Sequence, residues 1–347
     1  SLSLIVNKPK SYPLNEFKQL LQNSADKMEM VLDIKELELS QAKNQDCEKY
    51  IISCVSLQGI GPKFLHDITA VLAKNKINIE RIDNVSKEKL VSLDIATVTQ
   101  EANLDWDKIK SELIKLSNSH KIDLAMLKND VWRTNKRLIV FDMDSTLIQS
   151  EVIVEMAKSF GVGDKVHEIT ERAMNGEIDF DESLKQRVGL LKGMPEKDLV
   201  KILKKIKLTD GVQDFIKTLR ELGYKTAIIS GGFNYFADHF KELLKLDYAF
   251  SNSLEIKNGL LTGAVDGAIV NAEKKAILLE LLAQQENINL EQVVAIGDGA
   301  NDLPMLAKAG LGIAFHAKDI VKKSAKQHMS HGPMTSILYF LGIPQNL

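Results

Sequence analysis

Asp142-Met143-Asp144-Ser145-Thr146 follows directly on the apolar run 137–141 and sets two carboxylates two residues apart. Carboxylates held where a chain leaves a strand can divide a reaction: one attacks or binds metal, the other moves protons. The same residues also suit a plain turn in which Asp caps a helix at Ser145 and Thr146. A second cluster, Ser230-Gly231-Gly232, follows the apolar run 225–229. A hydroxyl and glycine amides at a strand end fit an anionic oxygen, because no Cβ blocks the approach to backbone N–H; alone, the segment is only a loop. The third, Gly297-Asp298-Gly299-Ala300-Asn301-Asp302, follows 293–296 and packs two carboxylates and an amide into one turn. That acidic load suits a bound cation, and Asp302 stands where a dinucleotide-binding fingerprint wants its last Gly. Lys274 and Lys275 open a helix, where cations oppose the macrodipole, so either they are solvated or an anion partners one of them.

The elements that must position these clusters are strands alternating with helices, the pattern of a doubly wound parallel α/β sheet. Runs 137–141, 225–229 and 293–296 are almost continuously apolar, as strands covered on both faces are. Each ends at one of the clusters, and open parallel sheets bind ligands at the carboxyl ends of their strands. Between the first two strands lies a mostly helical insertion, about 151–208, of a size to form a lid. Residues 254–260 read as a hairpin with an Asn258-Gly259 turn.

In this order the clusters, with Lys275, resemble the four motifs of the haloacid dehalogenase superfamily of aspartate-nucleophile phosphatases. The resemblance narrows to its phosphoserine phosphatase family through Asp-Ser-Thr after the second carboxylate, Glu151, Glu171-Arg172-Ala173-Met174 with Phe180 and Arg187, Ser-Gly-Gly-Phe ending at Phe233, and Gly-Asp-Gly-Ala-Asn-Asp. It spans about 136–335. It implies a haloacid dehalogenase-like fold with a helical cap and Mg²⁺-dependent hydrolysis of O-phospho-L-serine, the last step of serine biosynthesis. By the same resemblance Asp142 is the nucleophile that becomes an aspartyl phosphate, and Asp144 is the acid and then the base. Mg²⁺ is held by Asp142, the backbone carbonyl of Asp144, and Asp298. Ser230, the Gly231 amide and Lys275 hold phosphoryl oxygens, Asn301 supports the phosphate and metal side, and Asp302 orients Lys275. In the lid, Glu151 takes the substrate ammonium and Arg187 its carboxylate, which a guanidinium fork fits better than an ammonium does; Met174 and Phe180 close an apolar wall. Two rivals stand beside this reading. One is a relative on the same scaffold that uses another small phosphate or passes the phosphoryl group to an alcohol such as homoserine. The other is an amino-acid sensor with a spent enzyme domain, which intact Asp142, Asp144, Lys275 and Asp298 disfavour.

Upstream of Trp132 the pattern changes. An apolar strand 50–55, a Gly59-Ile60-Gly61-Pro62 turn, a helix carrying Phe64, Ile68, Val71 and Leu72 on one face, extended segments 77–85 and 90–99, a helix over 104–116 and a strand 122–127 give the order βαββαβ. The glycine turn, with Ile77-Asn78-Ile79 after the helix, resembles the ACT domain, which implies an amino-acid ligand or subunit pairing through sheet edges, and hence a homodimer. A structural α+β domain that binds no small molecule satisfies the same pattern. The expected organisation is therefore an N-terminal segment 1–47, an ACT-like domain 48–132 and a phosphatase domain 133–347. Within 1–47, a short strand, a helix around 14–21 and a strand around 30–34 make a degenerate ACT-like half one reading.

Composition excludes several other classes. The 347 residues suggest two or three domains, and 44% hydrophobic with 27% charged residues describes a folded chain. A formal charge of -2 gives no global field for nucleic acid or an anionic membrane. No run nears the length of a membrane span and no signal peptide is recognisable, so a cytoplasmic protein is expected. Cys47 and Cys54 suit a reducing compartment, and neither is followed six positions on by the Arg of a cysteine phosphatase: Ser53 and Ile60 stand there. His167, His239 and His316 show no metal-ligand pairing.

Overall fold

In the structure, a computed structural model, residues 13–27, 48–86, 90–99 and 104–344 are described. The chain divides into two units at Asp46/Cys47. In the first, the described element is helix α1 (Leu14–Lys27), which includes the expected stretch 14–21 and runs on to Lys27. The strands expected near the N-terminus and at 30–34, and Cys47, lie outside the described residues.

The second unit opens with β1 (Glu48–Val55), α2 (Pro62–Lys74), β2 (Asn78–Asn84), β3 (Ser92–Thr99), α3 (Trp106–His120) and β4 (Asp123–Lys128). They form a four-stranded antiparallel sheet in the order β2-β3-β1-β4. Pro62 starts α2 where its missing N–H costs nothing. Phe64, Ile68 and Leu72 then fall on one buried stripe against Ile109 and Leu113 of α3, while Val71 flanks it, half-buried. Val55, Val91, Ala125 and Leu127 belong instead to a core shared with the parallel sheet that follows, so both sheets lie within one compact unit.

That larger sheet begins at β5 (Leu138–Phe141). The insertion after it folds as α4 (Val152–Phe160), α5 (Gly163–Met174), α6 (Phe180–Gly189) and α7 (Glu196–Leu203). Its base is closed by an antiparallel bridge between Ile148 and Leu208 and by Thr209 N–H donating to Leu147 O at 2.9 Å. There follow α8 (Val212–Glu221), β6 (Lys225–Phe233), α9 (Asn234–Leu244), β7 (Tyr248–Lys257), β8 (Leu260–Asp266), α10 (Ala272–Gln285), β9 (Val293–Gly297), α11 (Leu303–Lys308), β10 (Leu311–Phe315), α12 (Asp319–Ser324), β11 (Gln327–Met329) and α13 (Ile337–Phe340). The order is β11-β10-β9-β5-β6-β7-β8, parallel throughout except β8. The near-continuous apolar runs have a direct cause: Ile139, Phe141, Ile228 and Ile296 fill the core on one face, Leu138, Val140, Ile229 and Ala295 that on the other. From β5 the chain winds outward to β6 on one side and later to β9 on the other, so a topological switch point lies beside β5, at the ends that carry Asp142 and Asp298. Asn258 and Gly259 turn the β7–β8 hairpin with φ of 54° and 73°, the paired left-handed residues of a tight hairpin.

Candidate active site

Asp142 leaves β5 with its N–H donated to Ile296 O at 2.8 Å, which pins the residue between β5 and β9. Its side chain makes no capping bond; Oδ1 lies 2.6 Å from Lys275 Nζ. The turn that follows includes Ser145 in the left-handed region, φ 57°, and brings Asp144 Oδ1 to the N–H of Val152, 3.1 Å, at the first turn of α4. Asp144 is thus the residue of this pair that serves a helix start, and the helix belongs to the lid.

Lys275 is fully buried and bridges Asp142 and Asp302, with Nζ 2.7 Å from Asp302 Oδ1. Asp302 uses its other oxygen to accept from Gly299 N–H at 2.9 Å. Burial works against the Lys275 charge, but the two carboxylates outweigh it and hold the ammonium protonated above its ordinary range. A lysine in the first turn of α10 is therefore explained by its anionic partners. Asp298 accepts from Thr146 Oγ1 at 2.9 Å. One oxygen each of Asp142, Asp298 and Asp302 lies within 4.8 Å of the others. Burial, then the charge of Asp302, pushes Asp142 up to about 8 and Asp298 up to about 7. Burial and Glu151 push Asp144 well above the usual carboxylate range. These shifts record carboxylates crowded together with one ammonium among them. A hard divalent cation with an oxygen shell would relieve that crowding, so the residues present fit a metal.

Ser230 is fully buried, and its Oγ accepts from Gly232 N–H at 2.9 Å, which leaves the hydroxyl proton to donate. Gly231 O accepts from Asn252 Nδ2 at 2.8 Å. Side chains at both glycines would crowd their neighbours. A Cβ on Gly232 would lie 2.7 Å from Asp144 Oδ2, and one on Gly231 would lie 3.1 Å from Phe180 Cζ. Phe180, half-buried, thus stands over Gly231. Glu151 accepts from Ser145 Oγ at 2.9 Å. Arg187, mostly buried, donates Nε–H to Ser183 O at 3.2 Å; burial pulls its pKa down, opposed by the charges of Glu151 and Asp144. Asn301 sits half-buried in the turn between β9 and α11, folded over Gly299.

Met174 departs from expectation. It ends α5 just before the left-handed turn at Gly176 and is 69% exposed, whereas Phe180 is half-buried over Gly231. Sequence reasoning also passed over Asn252, Asp181 and Asn271. Asn271 alone carried a signal, an Asn just ahead of a helical run.

The haloacid dehalogenase-like hydrolase family matches residues 136–310. A phosphoserine phosphatase of Archaeoglobus fulgidus is 48% identical over 240 residues, 69% of this chain and 70% of that protein. The chain belongs to the phosphoserine phosphatase family of haloacid dehalogenase-like hydrolases. A solved probable phosphoserine phosphatase from Vibrio cholerae is 38% identical with a TM-score of 0.67, covering 85% of this chain and 86% of that one. A structure of phosphoserine phosphatase bearing an analogue of its phospho-aspartyl intermediate is 46% identical with a TM-score of 0.56, covering 59% of this chain and 99% of that one. Like its family, this hydrolase acts on phosphoric monoesters, and the Asp142–Lys275–Asp302 arrangement lies inside the matched region. Among the described residues, no helix is long and apolar enough to cross a membrane.

Proposed function

We propose that this family member hydrolyses O-phospho-L-serine to serine and inorganic phosphate through an aspartyl phosphate on Asp142. The observation that carries the proposal is the buried Lys275 held 2.6 Å from Asp142 and 2.7 Å from Asp302. It fixes a cation beside the nucleophile, where the phosphoryl charge must be met. Asp142 Oδ attacks phosphorus as the bond to the serine oxygen breaks. Asp144, kept protonated by burial and Glu151, gives its proton to that oxygen; it then takes one from the water that attacks the phosphorus and frees Asp142. Ser230 Oγ–H, the Gly231 amide and Lys275 bind the equatorial oxygens, and Asn301 supports them. A divalent cation, Mg²⁺ in this proposal, would be held by Asp142, the Asp144 carbonyl and Asp298; when bound it neutralises phosphoryl charge and keeps the nucleophile ionised.

Glu151 and Arg187 supply the substrate selection, the first for the ammonium and the second for the carboxylate. The test is Arg187→Ala assayed on O-phospho-L-serine and on O-phosphoethanolamine, which lacks the carboxylate. A loss of kcat/KM of about a hundredfold confined to phosphoserine supports the assignment; equal losses on both esters contradict it. For the antiparallel module we propose amino-acid binding and pairing of two copies through the edge strand β2 in a cytoplasmic homodimer. Equilibrium sedimentation of the full chain tests the pairing, and serine calorimetry tests the ligand.

A further inference from the structure

Asn271 caps the helix that carries Lys275 and at the same time holds the lid. Its side-chain oxygen accepts from Lys274 N–H at 3.0 Å, which satisfies one of the orphan donors of α10. Its backbone oxygen accepts from Lys275 N–H at 2.9 Å. The oxygen being committed to the cap, the amide nitrogen faces the other way, toward Asp181 in the first turn of α6, at 3.1 Å from Oδ1 and 3.4 Å from Oδ2. Asp181 follows Phe180, whose ring stands over Gly231. Gly231 is tied to the same strip of core: its oxygen accepts from Asn252, and Asn252 Oδ1 accepts from Val270 N–H at 2.8 Å. The Asn271 carboxamide therefore links the start of the lysine helix to the lid helix that bears Phe180 and Arg187, and Asn252 ties the neighbouring Val270 to the phosphate-binding segment.

We propose that the Asn271–Asp181 hydrogen bond is the latch that keeps α6 down over the bound substrate, with Asn271 as a positioning residue. Asn meets both demands at this position. Asp would keep the cap but repel Asp181, and Ala would lose both bonds. The bond has a charged acceptor and is half-exposed, so it is strong enough to bias the lid and weak enough to release product. This inference rests on the reading of the site given above for phosphoserine.

The test uses the full-length enzyme as wild type, Asn271→Asp, Asp181→Ala, and the reciprocal double variant Asn271→Asp with Asp181→Asn, which restores an amide facing a carboxylate. Two readouts are taken: kcat and KM on O-phospho-L-serine, and hydrogen exchange of the α6 and α10 amides without substrate. The expected result is a KM raised about tenfold in each single variant, with kcat changed less than about threefold. Exchange should quicken in α6 and stay unchanged in α10, and both effects should reverse in the double variant. Unchanged KM and unchanged α6 exchange in Asn271→Asp and Asp181→Ala would overturn the latch. So would a defect in Asn271→Asp that the double variant does not rescue and that appears in α10, since Asn271 would then be a helix cap alone. If Asn271→Asp does not fold, Asp181→Ala, which leaves the cap intact, decides by the same two readouts. If wild type releases no phosphate from phosphoserine, the substrate reading fails by itself, and α6 exchange still decides the latch.

Discussion

Lys275 Nζ lies 2.6 Å from Asp142 Oδ1 with the lysine wholly removed from solvent. A buried ammonium is tolerated only when paired, and this one has two carboxylates. Removing it leaves Asp142 and Asp302 uncompensated. Lys275→Ala should lower stability by about 3–5 kcal/mol, and Lys275→Met, which keeps more of the volume, by less. Both should lose at least about a thousandfold in kcat. Denaturant midpoints beside phosphate-release assays check the pair of effects.

The crowding of acids gives a pH dependence with a definite sign. Asp142 and Asp298 titrate at about 8 and about 7 in the folded chain, above ordinary unfolded carboxylates. The folded state therefore binds more protons than the unfolded one over that interval, and stability falls as pH rises toward 8. Burial lowers His328 to about 4, which costs stability as pH falls below its ordinary value of about 6.5 and is flat above it. Chelator-treated protein should thus melt at lower temperature at pH 8 than at pH 6.5, and adding Mg²⁺ should shrink the difference. Thermal melts at the two pH values, with and without the ion, measure it.

Gly232→Ala probes the phosphate segment without replacing an ionisable group. The new methyl would stand 2.7 Å from Asp144 Oδ2 and 2.8 Å from Met143 Cε. Since Asp144 also receives the Val152 N–H, it cannot retreat without loosening the start of α4. A fall in kcat of at least about a hundredfold is expected, with a smaller change in melting temperature than Lys275→Ala produces.

Much of this was legible in the sequence because it follows from local rules. Runs 137–141, 225–229 and 293–296 are strands with chemistry at their carboxyl ends, and Asn258-Gly259 makes the turn its residue types demand. β10 has the same apolar composition but is followed by no comparable cluster, so it carries no functional signal of its own. β6 continues to Phe233, but its pairing with β7 breaks between Ile229 and Phe233, so Ser230-Gly231-Gly232 stand in an irregularity of the ladder where a loop was expected; the return to pairing at Phe233 with Asn252 is a contact no local pattern encodes. The contact between Asn271 and Asp181 joins residues 90 positions apart. Met174 shows the converse: a motif position suggested a wall, and the end of α5 leaves the side chain in solvent.

Asp123 is one of the points where the antiparallel sheet grips the rest of its unit, beside Met126 and Gln327. Fully buried at the start of β4, it accepts from the N–H groups of Ser330, His331 and Gly332 at 2.6–3.1 Å. Asp123→Ala strands three backbone donors and should lower stability by about 3 kcal/mol. The urea midpoint should drop with an unchanged slope; a midpoint equal to wild type would show that the loop finds other partners.

The central claim is that Asp142 is the nucleophile of a phosphoserine-selective hydrolase. Its most direct test is phosphate release from O-phospho-L-serine with Mg²⁺ against a panel of other phosphomonoesters, with Asp142→Asn beside the wild type. The account predicts a strong preference for phosphoserine and a loss in the variant of at least about a thousandfold. Activity spread evenly across the panel, or an Asp142→Asn enzyme that still turns over, would contradict it.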